Sequence, residues 1–198
     1  DDADAAVFEQ QGRQKVAKDI ELWITQTAKV ETADNQFYPP TEEPVKNTAQ
    51  LNWVVDDFVQ REYTHDSTGN ILQYNLFIPK GYDPAKSYPL VLFMHDASIT
   101  GKDVITPLIQ GNGATAWATP EDQEERPCFV LAPLFPTQTV NDNSEASGYL
   151  DVTISLIQEL MEEYSINENR LYTTGQSGGC MMSIAMNIKY PDFFAASY

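Results

Sequence analysis

The chain has 198 residues, of which 42% are hydrophobic and 11% aromatic, and its formal net charge is −17. This length and composition suit a globular protein with one full-sized core and a modest extra segment, and they exclude a disordered chain. The negative charge opposes binding to nucleic acid and to anionic membranes, and no apolar run reaches the roughly 20 residues that span a bilayer.

Residues 1–50 are mixed in polarity, and we predict an N-terminal appendage or wrapping segment that precedes a main domain at residues 51–198. Residues 5–30 have partial helical spacing, which the Tyr-Pro-Pro sequence at 38–40 ends. Because the chain starts at Asp1 without an apolar leader, we expect a mature or trimmed product. We expect it to be secreted or periplasmic, with a cytoplasmic protein as the alternative.

Two strand-like runs follow, at residues 54–63 and 71–78. The turn-rich residues 64–70 join them, so the pattern predicts an antiparallel hairpin. We interpret His65, which lies in this connector, as a solvated loop residue.

Continuous apolar runs at residues 89–94 and 128–134 are typical of strands buried on both faces, and a shorter run at 171–174 predicts a third. Residues 149–164 carry apolar side chains on one face and glutamates on the other, which predicts an amphipathic helix. A hairpin followed by strands that alternate with helices indicates an α/β domain with a mostly parallel sheet and flanking helices. The active site is then expected at the carboxyl ends of the strands.

The two cysteines are predicted to be unpaired. Cys128 opens one apolar run, and Cys180 follows the end of another. The two ends of a strand are roughly 17–20 Å apart, whereas a disulfide needs Cα atoms within about 7 Å. We therefore predict two free, buried thiols.

Gly-Gln-Ser-Gly-Gly at residues 175–179 lies between a short strand and an apolar helical run, which is the pattern of a nucleophile elbow. It places Ser177 on a sharp turn and makes it the candidate nucleophile of an acyl transfer. Gly175 and Gly179 would avoid collisions with the neighbouring backbone, and the Gly178 N–H would face a developing oxyanion. An ordinary glycine-rich turn is the alternative, whereas a phosphate-binding loop fits less well because its glycine pattern is absent.

Met-His-Asp-Ala-Ser at residues 94–98 follows the apolar run at 89–94, which is the third predicted strand of the chain. In the elbow arrangement the second oxyanion donor comes from the loop after the third strand, so we predict the Ala97 N–H for that role. We interpret His95 as a structural residue that ties down this loop. The alternative, His95 as the general base, requires its ring to reach the Ser177 hydroxyl.

Four sequence blocks occur in a characteristic order: Tyr-Pro-Leu-Val-Leu-Phe-Met-His-Asp-Ala at 88–97, Val-Leu-Ala-Pro at 130–133, Ile-Asn-Glu-Asn-Arg-Leu-Tyr-Thr-Thr-Gly-Gln-Ser-Gly-Gly at 166–179 and Tyr-Pro-Asp-Phe-Phe-Ala-Ala at 190–196. In these blocks the chain resembles the α/β-hydrolase family. Within it, the chain resembles secreted esterases of the polyhydroxybutyrate-depolymerase and feruloyl-esterase type and their predicted-peptidase relatives. The resemblance runs from about residue 52 to residue 198.

The resemblance implies that Ser177 is the nucleophile and that Gly178 and Ala97 supply the oxyanion hole, while Asp96 occupies a place where glycine is usual. The family's triad acid and histidine follow the elbow by two and three strands, and no residue here matches either. We therefore expect an incomplete α/β-hydrolase fold, a partial chain that is nearly inactive by itself. A C-terminal complementary chain or a dimer mate would cover its open sheet edge.

The predicted function is that of a serine esterase that acts on a small-molecule ester, such as a carbohydrate ester, through an acyl-enzyme at Ser177. Residues 111–117 and 136–147 are expected to shape the pocket, with Trp117 either a pocket wall or, as we favour, a core residue. No cofactor or metal is expected. A serine peptidase of the same fold and a non-catalytic hydrolase-like binding module are the alternatives.

Overall fold

The computed structural model describes residues 54–143 and 145–198. These residues form a domain with a six-stranded sheet. The strands are β1 (Val59–Thr64), β2 (Ile71–Phe77), β3 (Tyr88–Met94), β4 (Phe129–Leu134), β5 (Ile166–Gly175) and β6 (Ala196–Ser197), in the spatial order β1-β2-β4-β3-β5-β6. β1, β2 and β4 pair antiparallel, whereas β4, β3, β5 and β6 pair parallel. The predicted α/β class, with its mostly parallel sheet and antiparallel hairpin, is confirmed.

Both faces of the central strands are buried. Along β3, Leu90 and Leu92 point to one core cluster, whereas Val91 and Phe93 point to a second cluster on the other face. All six residues of β4 are buried as well. A strand with apolar neighbours on both sides has no polar alternation, which explains the continuous apolar runs.

Helices cover the two faces. On one face, α3 (Tyr149–Glu163) and α4 (Gly178–Lys189) contribute to the first core cluster. On the other, α1 (Thr106–Ile109) and the short 3₁₀ helix Thr115–Ala118 contribute to the second, and α2 (Pro120–Glu125) follows that 3₁₀ helix. This layering is that of an α/β domain, with loops collected at the carboxyl ends of the parallel strands.

Two strand boundaries differ from the prediction by more than one residue. β1 begins at Val59 rather than at residue 54, and Val54 is buried against the second core cluster. β5 begins at Ile166, well before the predicted 171, because its first part pairs with β3 across a register shift between Tyr88 and Leu90. An irregular, polar strand segment of this kind has no apolar periodicity that could reveal it.

Both cysteines are free, as predicted. Cys128 is buried, and this burial raises the pKa of its thiol to about 11. The prediction of a buried Cys180 is wrong: its side chain is exposed in the first turn of α4, where Gly179 rather than Cys180 faces β3.

The predicted appendage at residues 1–50 lies outside the described residues, so its boundaries and role stay predictions. Within the part of the chain that the structure describes, no helix combines the length and the apolar character needed to cross a bilayer.

Candidate active site

Ser177 stands at a strained turn between β5, which ends at Gly175, and α4, which begins at Gly178. Its backbone has φ 52° and ψ −112°, and it is the only non-glycine residue with positive φ within residues 54–143 and 145–198. Positive φ is unfavourable for a residue with a Cβ, so the surrounding structure must hold this geometry in place. Ser177 is an exposed residue, and its side chain does not cap α4.

The two outer glycines of the elbow have no room for a side chain. A Cβ on Gly179 would lie 1.9 Å from the carbonyl oxygen of Met94, and one on Gly175 would lie 2.3 Å from the backbone of Gly179. Real Cβ atoms do not approach backbone so closely, because repulsion rises steeply at these distances. The backbone of α4 can therefore lie directly against the end of β3.

Ala97 lies opposite Gly178 in the first turn of a short 3₁₀ helix, Ala97–Ile99. A Cβ on Gly178 would lie 3.1 Å from the backbone nitrogen of Ala97. The structure thus brings together Ser177, Gly178 and Ala97, the three residues to which the sequence assigns chemistry. No hydrogen bond within the described residues uses the N–H of Ala97 or of Gly178. Two free amide hydrogens beside one serine can bind a developing oxyanion.

His95 controls the direction of the Ala97 N–H. The Phe135 N–H donates to His95 Nε2 at 3.0 Å, so Nδ1 of the neutral ring carries the hydrogen and donates to the Asp96 carbonyl at 2.6 Å. In a trans peptide the carbonyl and the next N–H point in opposite directions. The Ala97 N–H therefore points away from the His95 ring.

His95 is fully buried, and this burial lowers the pKa of its imidazole. Because both ring nitrogens bind backbone groups, His95 has the structural role that the sequence favoured and is not free to accept the Ser177 proton. The other histidine of the chain, His65, lies in the β1–β2 turn, with its Nδ1 2.8 Å from Thr68 Oγ1. We therefore assign neither the acid nor the histidine of a catalytic triad to any of the described residues.

Asp96 joins the two sides of the site, which the sequence did not reveal. Its Oδ1 accepts the Ser98 N–H at 2.6 Å and so caps the 3₁₀ helix, and Oδ2 lies 3.5 Å from Gln176 Nε2, at the outer limit of a hydrogen bond. Hydrogen bonds from Ser98, chiefly from its side chain, lower the pKa of Asp96. The cap could have been found, because aspartate is a favoured N-cap residue; the contact with Gln176 could not.

The two ends of the segment 111–117, which was predicted to help shape the pocket, have different surroundings. Gly111 lies beside the elbow, since a Cβ there would be 3.3 Å from Gln176 Oε1. Trp117 is half-buried: it packs against the second core cluster and also lines a cavity of about 480 Å³ over β3, β5 and β6, so it combines the two roles that the sequence left open. A separate cavity of about 460 Å³ lies between the β1–β2 turn and Pro136.

Within the described residues, no group of three or more histidine, cysteine, aspartate or glutamate side chains could hold a metal ion. The groups that the site itself brings together are the Ser177 hydroxyl and the N–H groups of Gly178 and Ala97. The N-terminus of α4, which starts at Gly178, adds its positive dipole end beside them.

No protein-family model matches the chain. A probable feruloyl esterase C of Aspergillus terreus is 28% identical over 115 residues, which are 58% of this chain and 40% of that protein. A thermostable esterase of known crystal structure is 35% identical, with a TM-score of 0.70, over 73% of this chain and 41% of the other. The chain thus spans about two fifths of the length of these relatives.

More distant structures share the fold. A ferulic acid esterase from Anaeromyces mucronatus is 19% identical with a TM-score of 0.52, over 69% of this chain and 54% of the other. A fluorophosphonate-binding serine hydrolase of Staphylococcus aureus is 13% identical with a TM-score of 0.54, over 71% and 55%. At these identities the similarity concerns the arrangement of strands and helices.

Proposed function

We propose that this chain, which has the α/β-hydrolase fold and is similar to esterases, carries the nucleophile of a serine carboxylesterase. The observation that carries the proposal is the strained backbone of the exposed residue Ser177, next to Gly178, whose unused amide lies near that of Ala97. The esterase relatives support an ester rather than an amide substrate. We propose carbohydrate or other small acyl esters as the substrate class.

In the proposed reaction the Ser177 oxygen attacks the ester carbonyl, and the carbonyl oxygen becomes an oxyanion. The N–H groups of Gly178 and Ala97 donate to this oxyanion, and the dipole of α4 stabilises it further. When the tetrahedral intermediate collapses, the alcohol leaves with a proton and an acyl-enzyme remains. Water then attacks the acyl group and releases the acid.

The hydroxyl needs a general base, and neither histidine of this chain is given that role. His95 binds backbone groups through both nitrogens, and His65 lies in the β1–β2 turn. We propose that further polypeptide, as a C-terminal complementary chain or a dimer mate, covers the β6 edge of the sheet. The apolar cavity over β3, β5 and β6 supports this proposal. We also propose that the protein is secreted or periplasmic.

The test is covalent labelling of the full-length protein with a fluorophosphonate, followed by peptide mapping. We expect the label on Ser177, complete loss of labelling in Ser177→Ala, and a loss of ester hydrolysis of at least about 1,000-fold. Ser67→Ala is the matched control, because Ser67 is an exposed serine in the β1–β2 turn. Its labelling and hydrolysis should equal those of the wild type.

Two substrates separate the alternatives. p-Nitrophenyl acetate should be hydrolysed much faster than a peptide p-nitroanilide; the reverse order would make the protein a peptidase. A folded wild-type protein that neither takes up the label nor hydrolyses either substrate would refute the proposal and favour a binding module.

A further inference from the structure

The carboxylate of Asp96 is held beside the candidate site from two sides. Asp96 directly precedes the oxyanion donor Ala97, and its Oδ1 is fixed by the Ser98 N–H. Its Oδ2 lies 3.5 Å from the side chain of Gln176, the residue that directly precedes Ser177. The negative charge therefore lies on the residue next to Ala97 and beside the residue that precedes Ser177.

This carboxylate is ionised at neutral pH. The hydrogen bonds from Ser98 lower its pKa, and Lys102 adds only a smaller attraction through space. Lys102 is exposed, so solvent screens its charge. A negative charge beside two oxyanion donors does not assist the oxyanion, and the capping of the 3₁₀ helix would need only a neutral acceptor. Neither oxyanion binding nor capping of the 3₁₀ helix therefore accounts for the negative charge of Asp96.

We propose that Asp96 is a specificity-determining residue, whose carboxylate disfavours esters with a negatively charged acyl group and favours neutral and cationic ones. The inference rests on the proposed esterase function. Two unit charges several ångströms apart at a partly exposed site change a rate by about three- to thirtyfold. Whether the rate is raised or lowered depends only on the charge of the acyl group.

A ratio of substrates isolates this effect. Repulsion between Asp96 and the oxyanion is the same for every ester, so it cancels when two esters of equal length and leaving group are compared. Three p-nitrophenyl esters fit this requirement: the pentanoate, the 4-sulfobutyrate and the 4-(trimethylammonio)butyrate. Their acyl groups are neutral, anionic and cationic, and neither charge titrates near neutral pH.

The test compares kcat/KM for these esters in the full-length wild type, Asp96→Asn and Asp83→Asn at low ionic strength. Asparagine keeps an oxygen acceptor for the Ser98 N–H and removes only the charge. Asp83 is the matched control: its Oδ1 accepts the Ala85 N–H at 3.0 Å in the same local pattern, but in the loop before β3, at the opposite end of that strand. If Asp96→Asn does not fold, Asp96→Ser provides a second neutral cap.

We expect Asp96→Asn to raise the anionic-to-neutral ratio about three- to thirtyfold and to lower the cationic-to-neutral ratio. Asp83→Asn should leave both ratios within about twofold, and about 0.5 M salt should weaken the wild-type preference. Unchanged ratios in a folded, active Asp96→Asn variant, or equal shifts in Asp83→Asn, would overturn the inference alone. A wild type that hydrolyses none of the three esters would overturn the proposed function, and the inference with it.

Discussion

The strain at Ser177 and the space at its neighbouring glycines are one feature of the molecule. A positive φ at a serine persists only where the surroundings hold it. Here the Gln176 N–H donates to the Met94 carbonyl at 3.1 Å, and the Gly179 N–H donates to the Gln176 carbonyl at 2.8 Å. These contacts are possible because Gly179 carries no Cβ. The strained conformation of Ser177 is thus held by the backbone packing around it.

His95 should make the stability of the protein depend on pH. Its folded-state pKa is lowered by burial, so the unfolded chain binds more protons between that lowered pKa and the ordinary value of about 6.5. Stability from this residue is therefore complete above about pH 6.5 and is lost as pH falls through this window. The slope from this one residue cannot exceed about 1.4 kcal/mol per pH unit.

Urea unfolding between about pH 8 and pH 5 measures this slope. It should persist in His65→Gln, because His65 lies in the β1–β2 turn and hydrogen-bonds through Nδ1 to Thr68 there. It should disappear in His95→Asn, which cannot titrate. An identical slope in His95→Asn would assign the pH dependence to other groups.

At the scale of single elements, burial decides what each helix contributes. α3 places Leu150, Leu156 and Ile157 in the first core cluster, whereas the four-residue α1 leaves Ile109 59% exposed. Removing the same side-chain atoms from the two helices should therefore have unequal costs. Part of the cost at a buried site arises from the cavity that remains.

We expect Ile157→Ala to lower the free energy of unfolding by about 2–5 kcal/mol, because Ile157 is fully buried. Ile109→Ala, the same chemical change at an exposed position, should change it by no more than about 0.5 kcal/mol. Chemical denaturation of both variants at one pH measures the difference. Equal losses would mean that α3 does not pack as described.

At the scale of the whole molecule, the net charge of −17 acts on stability as well as on partners. Like charges on a compact surface repel one another, and salt screens exposed charges beyond roughly 10 Å at 0.1 M. We therefore expect the thermal midpoint to rise as sodium chloride increases from about 10 mM to about 0.2 M. Potassium chloride should give the same rise, and a midpoint that falls with both salts would contradict the expectation.

The sequence alone determined the fold class, the central strands and the position of the elbow. Each follows from residues close together in the chain: continuous apolar runs at β3 and β4, one-sided helical spacing in α3, and the glycines around Ser177. Such local signals are strong because the direction of the side chains repeats every two residues in a strand and every three to four residues in a helix. The proposal of acyl transfer begins from these signals.

Only the tertiary structure decided how the loops meet. His95 binds Phe135, 40 positions along the chain, and Asp96 lies beside Gln176, 80 positions along. The exposure of Cys180 likewise depends on which face of α4 turns toward β3. Contacts of this kind depend on the folded path of the backbone between distant residues, and no local pattern in the sequence records that path.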